Sequence, residues 1–169
     1  SRHGGNPAKT APNGKFVVEG KFGGGLGCAG VTTPESATGA IVARHPDFSP
    51  PGAFSVELWA KAETHGKPGT RAFVDNKGCY YENDRPNTNN GFMFFLQRTR
   101  NRSEDVMTMN VGLGFGSDSV FASSGAVTMP VGVWHHLAFT YDGAGTVKMY
   151  LNGEKVGESS FPGRGPIAP

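Results

Sequence analysis

Three short strands joined by two tight turns, in the C-terminal third of the chain, constrain the fold more than any other stretch. Apolar residues occupy every second position over residues 133–141 and 146–151, the period of a strand that buries one face. The connections are DGAG at residues 142–145 and the dipeptide Asn152-Gly153, which supply the positive-φ positions that tight hairpins need. The sequence therefore predicts an antiparallel meander with one face in a core.

The rest of the chain repeats this pattern in shorter runs that end at Gly, Pro or Asn. About ten such runs, with no window of helical periodicity, predict an all-β sandwich or barrel. The 26 glycines and 12 prolines lie between the apolar runs, which is typical of a protein with many turns. Before the meander, we predict strands at residues 15–19, 21–28, 40–44, 54–62, 71–75, 91–97, 105–115, 119–122 and 126–129.

At 169 residues, the chain is long enough for one domain with a two-layer core. We expect a flexible N-terminal tail at residues 1–14, a domain at 15–162 and a C-terminal tail at 163–169. The formal net charge of +2 is too small to predict a nucleic-acid partner. No apolar segment approaches the roughly 20 residues of a membrane-spanning helix, so we expect no transmembrane segment.

Two segments resemble a known family. WHHLAFTYDG at residues 134–143, followed by VKMYLNGE at 147–154, resembles the signature of laminin-G-like domains of the concanavalin A-like lectin/glucanase superfamily. FSVELWAKA at 54–62 is similar to the other recurrent strand of that family, and KFGGGL at 21–26 is similar to its opening strand. The resemblance covers residues 20–161 and implies a jelly-roll sandwich of two antiparallel sheets.

The resemblance is incomplete at the C-terminal end. Family members continue past the Asn-Gly hairpin into a Gly-rich strand and a final acidic-aromatic strand, whereas residues 163–169 read GRGPIAP. We therefore expect a jelly roll that lacks its final strand. Three explanations are open: a truncated sequence, a permuted alignment, or a strand donated by a neighbouring copy of the chain.

The two cysteines, Cys28 and Cys79, are too few for a zinc site. In an extracellular sandwich of the kind that the resemblance implies, they would form a disulfide. Two buried free thiols are the alternative.

Catalysis is not expected. The glucanases of the superfamily carry a Glu-x-Asp-x-Glu run whose alternate carboxylates share one face of a strand, and this sequence has no such run. His135 and His136 are neighbours on a predicted strand, so their side chains face opposite ways and cannot bind one metal ion together. We predict that the protein is not an enzyme.

A polar loop is the first candidate for a ligand site. Sugars are bound by flat aromatic faces and by polar side chains that hydrogen-bond hydroxyl groups. The longest polar stretch, at residues 79–90, is rich in both, and a merely solvated loop is the alternative. The predicted ligand-binding residues in this loop are Tyr80, Tyr81, Glu82, Asn83, Asp84 and Arg85.

The second candidate is the face of a sheet that points away from the core. If residues 54–62 and the meander share a sheet, Trp59, His136 and Tyr150 lie on that face, together with Glu57 and Lys148. Structural packing of the tryptophan is the alternative.

The resemblance also implies calcium, which is common in the superfamily and takes six to eight oxygen ligands. The predicted metal ligands are Asp75, Asn76 and Asp84.

Together, these features predict a secreted, extracellular or cell-surface module that binds a glycan or a glycosylated surface without catalysis. One alternative is a structural subunit that assembles with copies of itself into a surface layer or filament. Another is the accessory domain of a larger carbohydrate-active enzyme.

Overall fold

The structure is a computed structural model that describes residues 7–11, 14–28, 39–43, 45–76, 89–100 and 102–169. The chain divides into two compact units, Ser1–His45 and Pro46–Pro169. Among the described residues, no helix is long and apolar enough to cross a membrane.

The first unit contains two pairs of antiparallel strands. One pair joins β1 (Ala8–Thr10) to β4 (Ala40–Val42), and the other joins β2 (Lys15–Gly20) to β3 (Gly23–Gly27). β1 lies within residues 1–14, which were predicted as a flexible tail. Its three residues pair in register with β4, so this part of the segment is a strand. Cys28, just after β3, has a free thiol whose pKa is raised by burial. The predicted disulfide is therefore not formed at Cys28 in this structure, and its other member, Cys79, lies outside the described residues. A disulfide needs the two Cα atoms within about 7 Å, a distance that sequence spacing does not reveal.

The second unit contains two antiparallel sheets of four strands each. The first, which we call the meander sheet, has the order β12-β11-β10-β5 and consists of β5 (Phe54–Ala60), β10 (His135–Tyr141), β11 (Thr146–Leu151) and β12 (Glu154–Ser160). The second sheet has the order β6-β7-β8-β9 and consists of β6 (Gly69–Asp75), β7 (Phe92–Arg98), β8 (Val106–Gly114) and β9 (Ser119–Thr128). The predicted all-β sandwich of two antiparallel sheets is confirmed.

The core lies between the two sheets, where the alternating apolar residues meet. Phe54, Val56, Leu58 and Ala60 pack against it from β5, as their period of two predicts. β10 contributes Leu137, Phe139 and Tyr141, whose side chains are buried. The other fully buried core side chains are Phe94, Met107, Met109, Val111, Leu113, Val147 and Met149.

One predicted break between strands is absent. Residues 119–122 and 126–129 were predicted as two strands, but β9 runs through both. Its pairing with β8 shifts register between Thr108 and Asn110, and the Ser124 hydroxyl accepts a hydrogen bond from the Met109 amide at 2.9 Å. The shift leaves one extra residue in β9, a β-bulge. The bulge interrupts the alternation of apolar and polar residues, so the single strand was predicted as two.

Residues 163–169, predicted as a tail, pack against the sandwich. Ile167 is buried in the core, and the Tyr141 hydroxyl donates a hydrogen bond to the Gly165 carbonyl at 2.5 Å. The Ala168 amide donates to the Gly114 carbonyl at 2.9 Å, and its carbonyl accepts from the Gly91 amide at 2.8 Å. The segment therefore adds backbone pairing and apolar contact at one end of the second sheet.

Candidate functional site

The meander sheet has an outer face, opposite the core, that collects the residues of the second predicted site. β5 pairs with β10 in the register that sets Trp59 opposite His136 and Glu57 opposite Ala138. On the other side of β10, Ala138 lies opposite Tyr150 and Thr140 opposite Lys148. Because paired residues in antiparallel strands point to the same side of the sheet, all of these side chains belong to the outer face.

An aromatic cluster occupies one end of this face. Trp59 is 39% exposed, and its ring centroid lies 5.2 Å from that of His136 at an interplanar angle of 45°. His136 Nε2 lies 3.4 Å from a carboxylate oxygen of Glu57, whose side chain is largely exposed. The cluster thus presents an indole, an imidazole and a carboxylate side by side.

The turn after β11 holds the start of β10 in place beneath this cluster. The Asn152 side-chain oxygen accepts a hydrogen bond from the His136 amide at 2.9 Å, and the Asn152 amide donates to the His136 carbonyl at 2.8 Å. Asn152 has a φ of 52°, the left-handed conformation that Asn and Gly favour in tight turns. The Asn-Gly turn predicted from the sequence therefore also positions a residue of the candidate site.

A shallow depression of about 490 Å³ lies at the other end of the outer face. Its polar lining consists of Ser55, Thr140, Asp142, Thr146, Lys148 and Glu158. The Asp142 carboxylate accepts hydrogen bonds from the amides of Thr146 at 2.8 Å and Ala144 at 2.7 Å, and these bonds lower its pKa. Asp142 is therefore ionised and engaged in its own turn, so it shapes the depression without offering that oxygen to a ligand.

Two of the three charged residues of β12, Lys155 and Glu158, pair with each other. Lys155 Nζ lies 2.6 Å from a Glu158 carboxylate oxygen. The hydrogen bond from Lys155 lowers the pKa of Glu158, and the positive charge of Lys148 lowers it further. The carboxylate is thus ionised, held by Lys155 and close to Lys148.

The first predicted site and part of the metal site fall outside the described residues. Those positions are Tyr80, Tyr81, Glu82, Asn83, Asp84 and Arg85, together with Cys79 of the predicted disulfide. Of the other predicted metal ligands, Asp75 is exposed at the end of β6. The Asn76 side chain donates to the Phe48 carbonyl at 2.5 Å and accepts from the Phe92 amide at 2.6 Å. Asn76 therefore serves to join chain segments, and no group of three metal-ligating side chains occurs within the part of the chain that the structure describes.

Three residues of the outer face were not identified from the sequence. Ser55, Ala138 and Thr140 are small, and a small residue in a strand carries no local signal of a binding site. Their place in the site follows from the register, which sets Ala138 beside Glu57 and Tyr150, and sets Ser55 and Thr140 opposite each other.

Comparisons with known proteins agree with this architecture. Residues 35–168 match the Laminin_G_3 family, described as the concanavalin A-like lectin/glucanases superfamily. No curated protein matches the sequence. Among solved structures, the binding domain of Paraclostridial Mosquitocidal Protein 1 is similar to this chain, with 13% sequence identity and a TM-score of 0.58. The similarity covers 96% of this chain but 38% of that one, so this chain spans less than half of its neighbour.

Proposed function

Because this chain belongs to the concanavalin A-like lectin/glucanase superfamily, we propose that it is a non-catalytic binding module whose outer meander-sheet face binds carbohydrate. The observation that carries the proposal is the exposed Trp59 ring beside His136 and Glu57. A large aromatic ring on a surface is a favourable platform for the apolar face of a sugar ring. The imidazole and the carboxylate beside it supply hydrogen-bond partners for the sugar hydroxyls.

The separation of Glu57 and Glu158 argues against glycoside hydrolysis by this pair of carboxylates. Glu57 lies on β5 and Glu158 on β12, at opposite edges of the meander sheet. Three interstrand spacings of about 4.8 Å separate these strands by about 14 Å. Glycosidases hold their two carboxyl groups about 5–9.5 Å apart, so this pair cannot act on one glycosidic bond.

The proposed partner is a glycan or a glycosylated surface, and the proposed compartment is the extracellular space or the cell surface. A module that binds glycans meets them on cell surfaces and in the extracellular space, so we place this protein there. As an accessory domain of a larger carbohydrate-active enzyme, the chain would use the same face. Calcium stays a prediction, which binding assays with and without a chelator test directly.

The experiment that tests the proposal is a glycan array with and without calcium, followed by Trp59→Ala. We expect the variant to lose affinity for its best glycan by about tenfold or more, or about 1.4 kcal/mol, because it removes the ring on which a sugar residue would stack. The melting temperature should change little, because the Trp59 ring lies outside the core.

Phe121→Ala is the matched control, because Phe121 is an aromatic residue of β9 that is 48% exposed. Its affinity for the glycan should equal that of the wild type. An array without any bound glycan would rule out the proposed function, and equal losses in both variants would place the site elsewhere.

A second candidate function, self-assembly, is favoured by exposed apolar side chains in the first unit. Phe16, Val18 and Phe22 are 65%, 89% and 79% exposed. Phe16 lies opposite Leu26 across the β2–β3 pair, so both side chains share one face. Apolar clusters of this kind often mark protein–protein contacts.

If this face mediates assembly, light scattering should show oligomers that grow with protein concentration. The double substitution Phe16→Ser and Val18→Ser should return the protein to a monomer of about 18 kDa, the mass of the chain. A wild-type protein that stays monomeric at all concentrations would exclude assembly through this face.

A further inference from the structure

A trough of small side chains runs along β10 on the outer face of the meander sheet. Its floor is formed by Ala138 and Thr140, both half-buried. Glu57 on β5 and Tyr150 on β11 flank Ala138, while Lys148 on β11 flanks Thr140. Directly paired side chains stand about 4.5–5.5 Å apart, so longer neighbours rise on both sides of Ala138 and on the β11 side of Thr140.

The trough connects the aromatic cluster to the depression. Trp59 and His136 stand at one end, and the depression of about 490 Å³ includes Thr140 at the other. Thr140 lies four positions after His136, which at a rise of about 3.4 Å per residue corresponds to about 14 Å along the strand. This length exceeds a single six-membered sugar ring, so one monosaccharide cannot contact both ends.

The walls of the trough carry groups that suit hydroxyls along both edges of a chain. The Glu57 carboxylate and the Ser55 hydroxyl lie on the β5 side, and the Tyr150 hydroxyl and the Lys148 ammonium lie on the β11 side. The Glu158 carboxylate near Lys148 is bonded by Lys155 at 2.6 Å. The Ala138 methyl group on the floor offers apolar contact to the face of a ring.

We propose that the site takes a linear, extended oligosaccharide that lies along β10, with one sugar residue on Trp59 and a later residue over Thr140. The inference rests on the proposed carbohydrate-binding function and specifies the ligand class for the same face. A floor that follows a single strand, with longer side chains on both sides of Ala138 and on the β11 side of Thr140, favours a ribbon-like chain, such as a β-1,4-linked one, over a helical or branched glycan.

The first test is a length series measured by isothermal titration calorimetry. The probes are the mono-, di-, tri- and tetrasaccharides of β-1,4-linked glucose and of β-1,4-linked N-acetylglucosamine, with maltotetraose as the α-1,4-linked control. In at least one series, we expect affinity to rise by about tenfold or more between the mono- and the tetrasaccharide, as further sugar residues reach the trough. Maltotetraose should bind more weakly than the β-1,4-linked tetrasaccharide.

The second test blocks the far end of the trough. Thr140→Tyr places a ring over the floor beside Lys148, so the tetrasaccharide should bind no better than the shortest ligand, whose affinity should be unchanged. Gln97→Tyr, an exposed position on β7 of the second sheet, is the matched control and should keep the full length dependence. If Thr140→Tyr lowers the melting temperature, Ser55→Tyr at the edge strand tests the same end.

The outcomes separate this inference from the proposed function. Binding of a monosaccharide as tightly as the tetrasaccharide, or an array response only to branched or terminal sugars, would overturn the trough while leaving carbohydrate binding intact. Binding of extended peptides instead of glycans, or no glycan binding at all, would overturn both.

Discussion

Replacing Phe139 with Ala destabilises the second unit by about 3–5 kcal/mol, the range for truncation of a buried Phe in a core. The side chain has no exposed surface, and its ring lies among three others at centroid distances of 5.2–5.9 Å. Phe54 belongs to the meander sheet, whereas Phe92 and Phe94 belong to the second sheet. The substitution therefore opens a cavity where the two sheets meet, and edge-to-face ring contacts are lost with it.

Urea unfolding followed by tryptophan fluorescence measures this loss, with the slope of the transition compared between variants. Thr140→Ala is the matched control, because it removes side-chain atoms from the next residue of β10 on the outer face. We expect it to cost about 1 kcal/mol or less. A loss below about 1 kcal/mol for Phe139→Ala would mean that the sheets do not pack through this ring.

Replacing Ile167 with Ala destabilises the protein by about 2–4 kcal/mol, within the range for aliphatic truncation in a core. Ile167 is 4% exposed, and the Ala168 backbone beside it bonds both Gly91 and Gly114. Loss of the apolar anchor also loosens these two hydrogen bonds, whose partners are otherwise buried.

Pro166→Ala is the control for Ile167→Ala, since Pro166 is exposed in the same segment and should change stability by about 0.5 kcal/mol or less. Thermal unfolding of both variants distinguishes an anchored segment from a tail. If the two variants unfold like the wild type, the segment does not contribute to the core in solution.

An ion pair supports the same segment. Arg164 donates two hydrogen bonds to Asp118, at 2.7 and 2.5 Å, and its guanidinium lies 4.9 Å from the Phe115 ring centroid. The hydrogen bond from Arg164 lowers the pKa of Asp118. A lowered folded-state pKa stabilises the protein above the ordinary Asp range, and this contribution is lost as the pH falls through the lowered value. Because Asp118 is about half exposed, solvent screens the pair and its contribution is small.

Local sequence patterns were sufficient to predict most strands and the side of each strand of the two sheets that faces the core, although β1 was missed and β9 was predicted as two strands. Phe54–Ala60 and His135–Tyr141 alternate apolar and polar residues, and a period of two is a local property that needs no knowledge of the partner strand. The Asn-Gly turn likewise follows from two residues that favour positive φ. These local rules, together with the family resemblance, were enough for the sandwich and for the outward direction of Trp59, His136 and Tyr150.

Outside the meander, the strand neighbours and their alignment depend on long-range packing and could not be predicted from the sequence. Pairing of β5 with β10 joins distant parts of the chain, and its register depends on the packing of both strands against the second sheet. That register sets Trp59 beside His136 and makes Ala138 and Thr140 the floor of a trough, although neither small residue stands out in the sequence. The burial of Ile167 depends on long-range packing in the same way. A single large apolar residue among Gly and Pro forms no periodic pattern, and it is buried only because other segments form the core against which it packs.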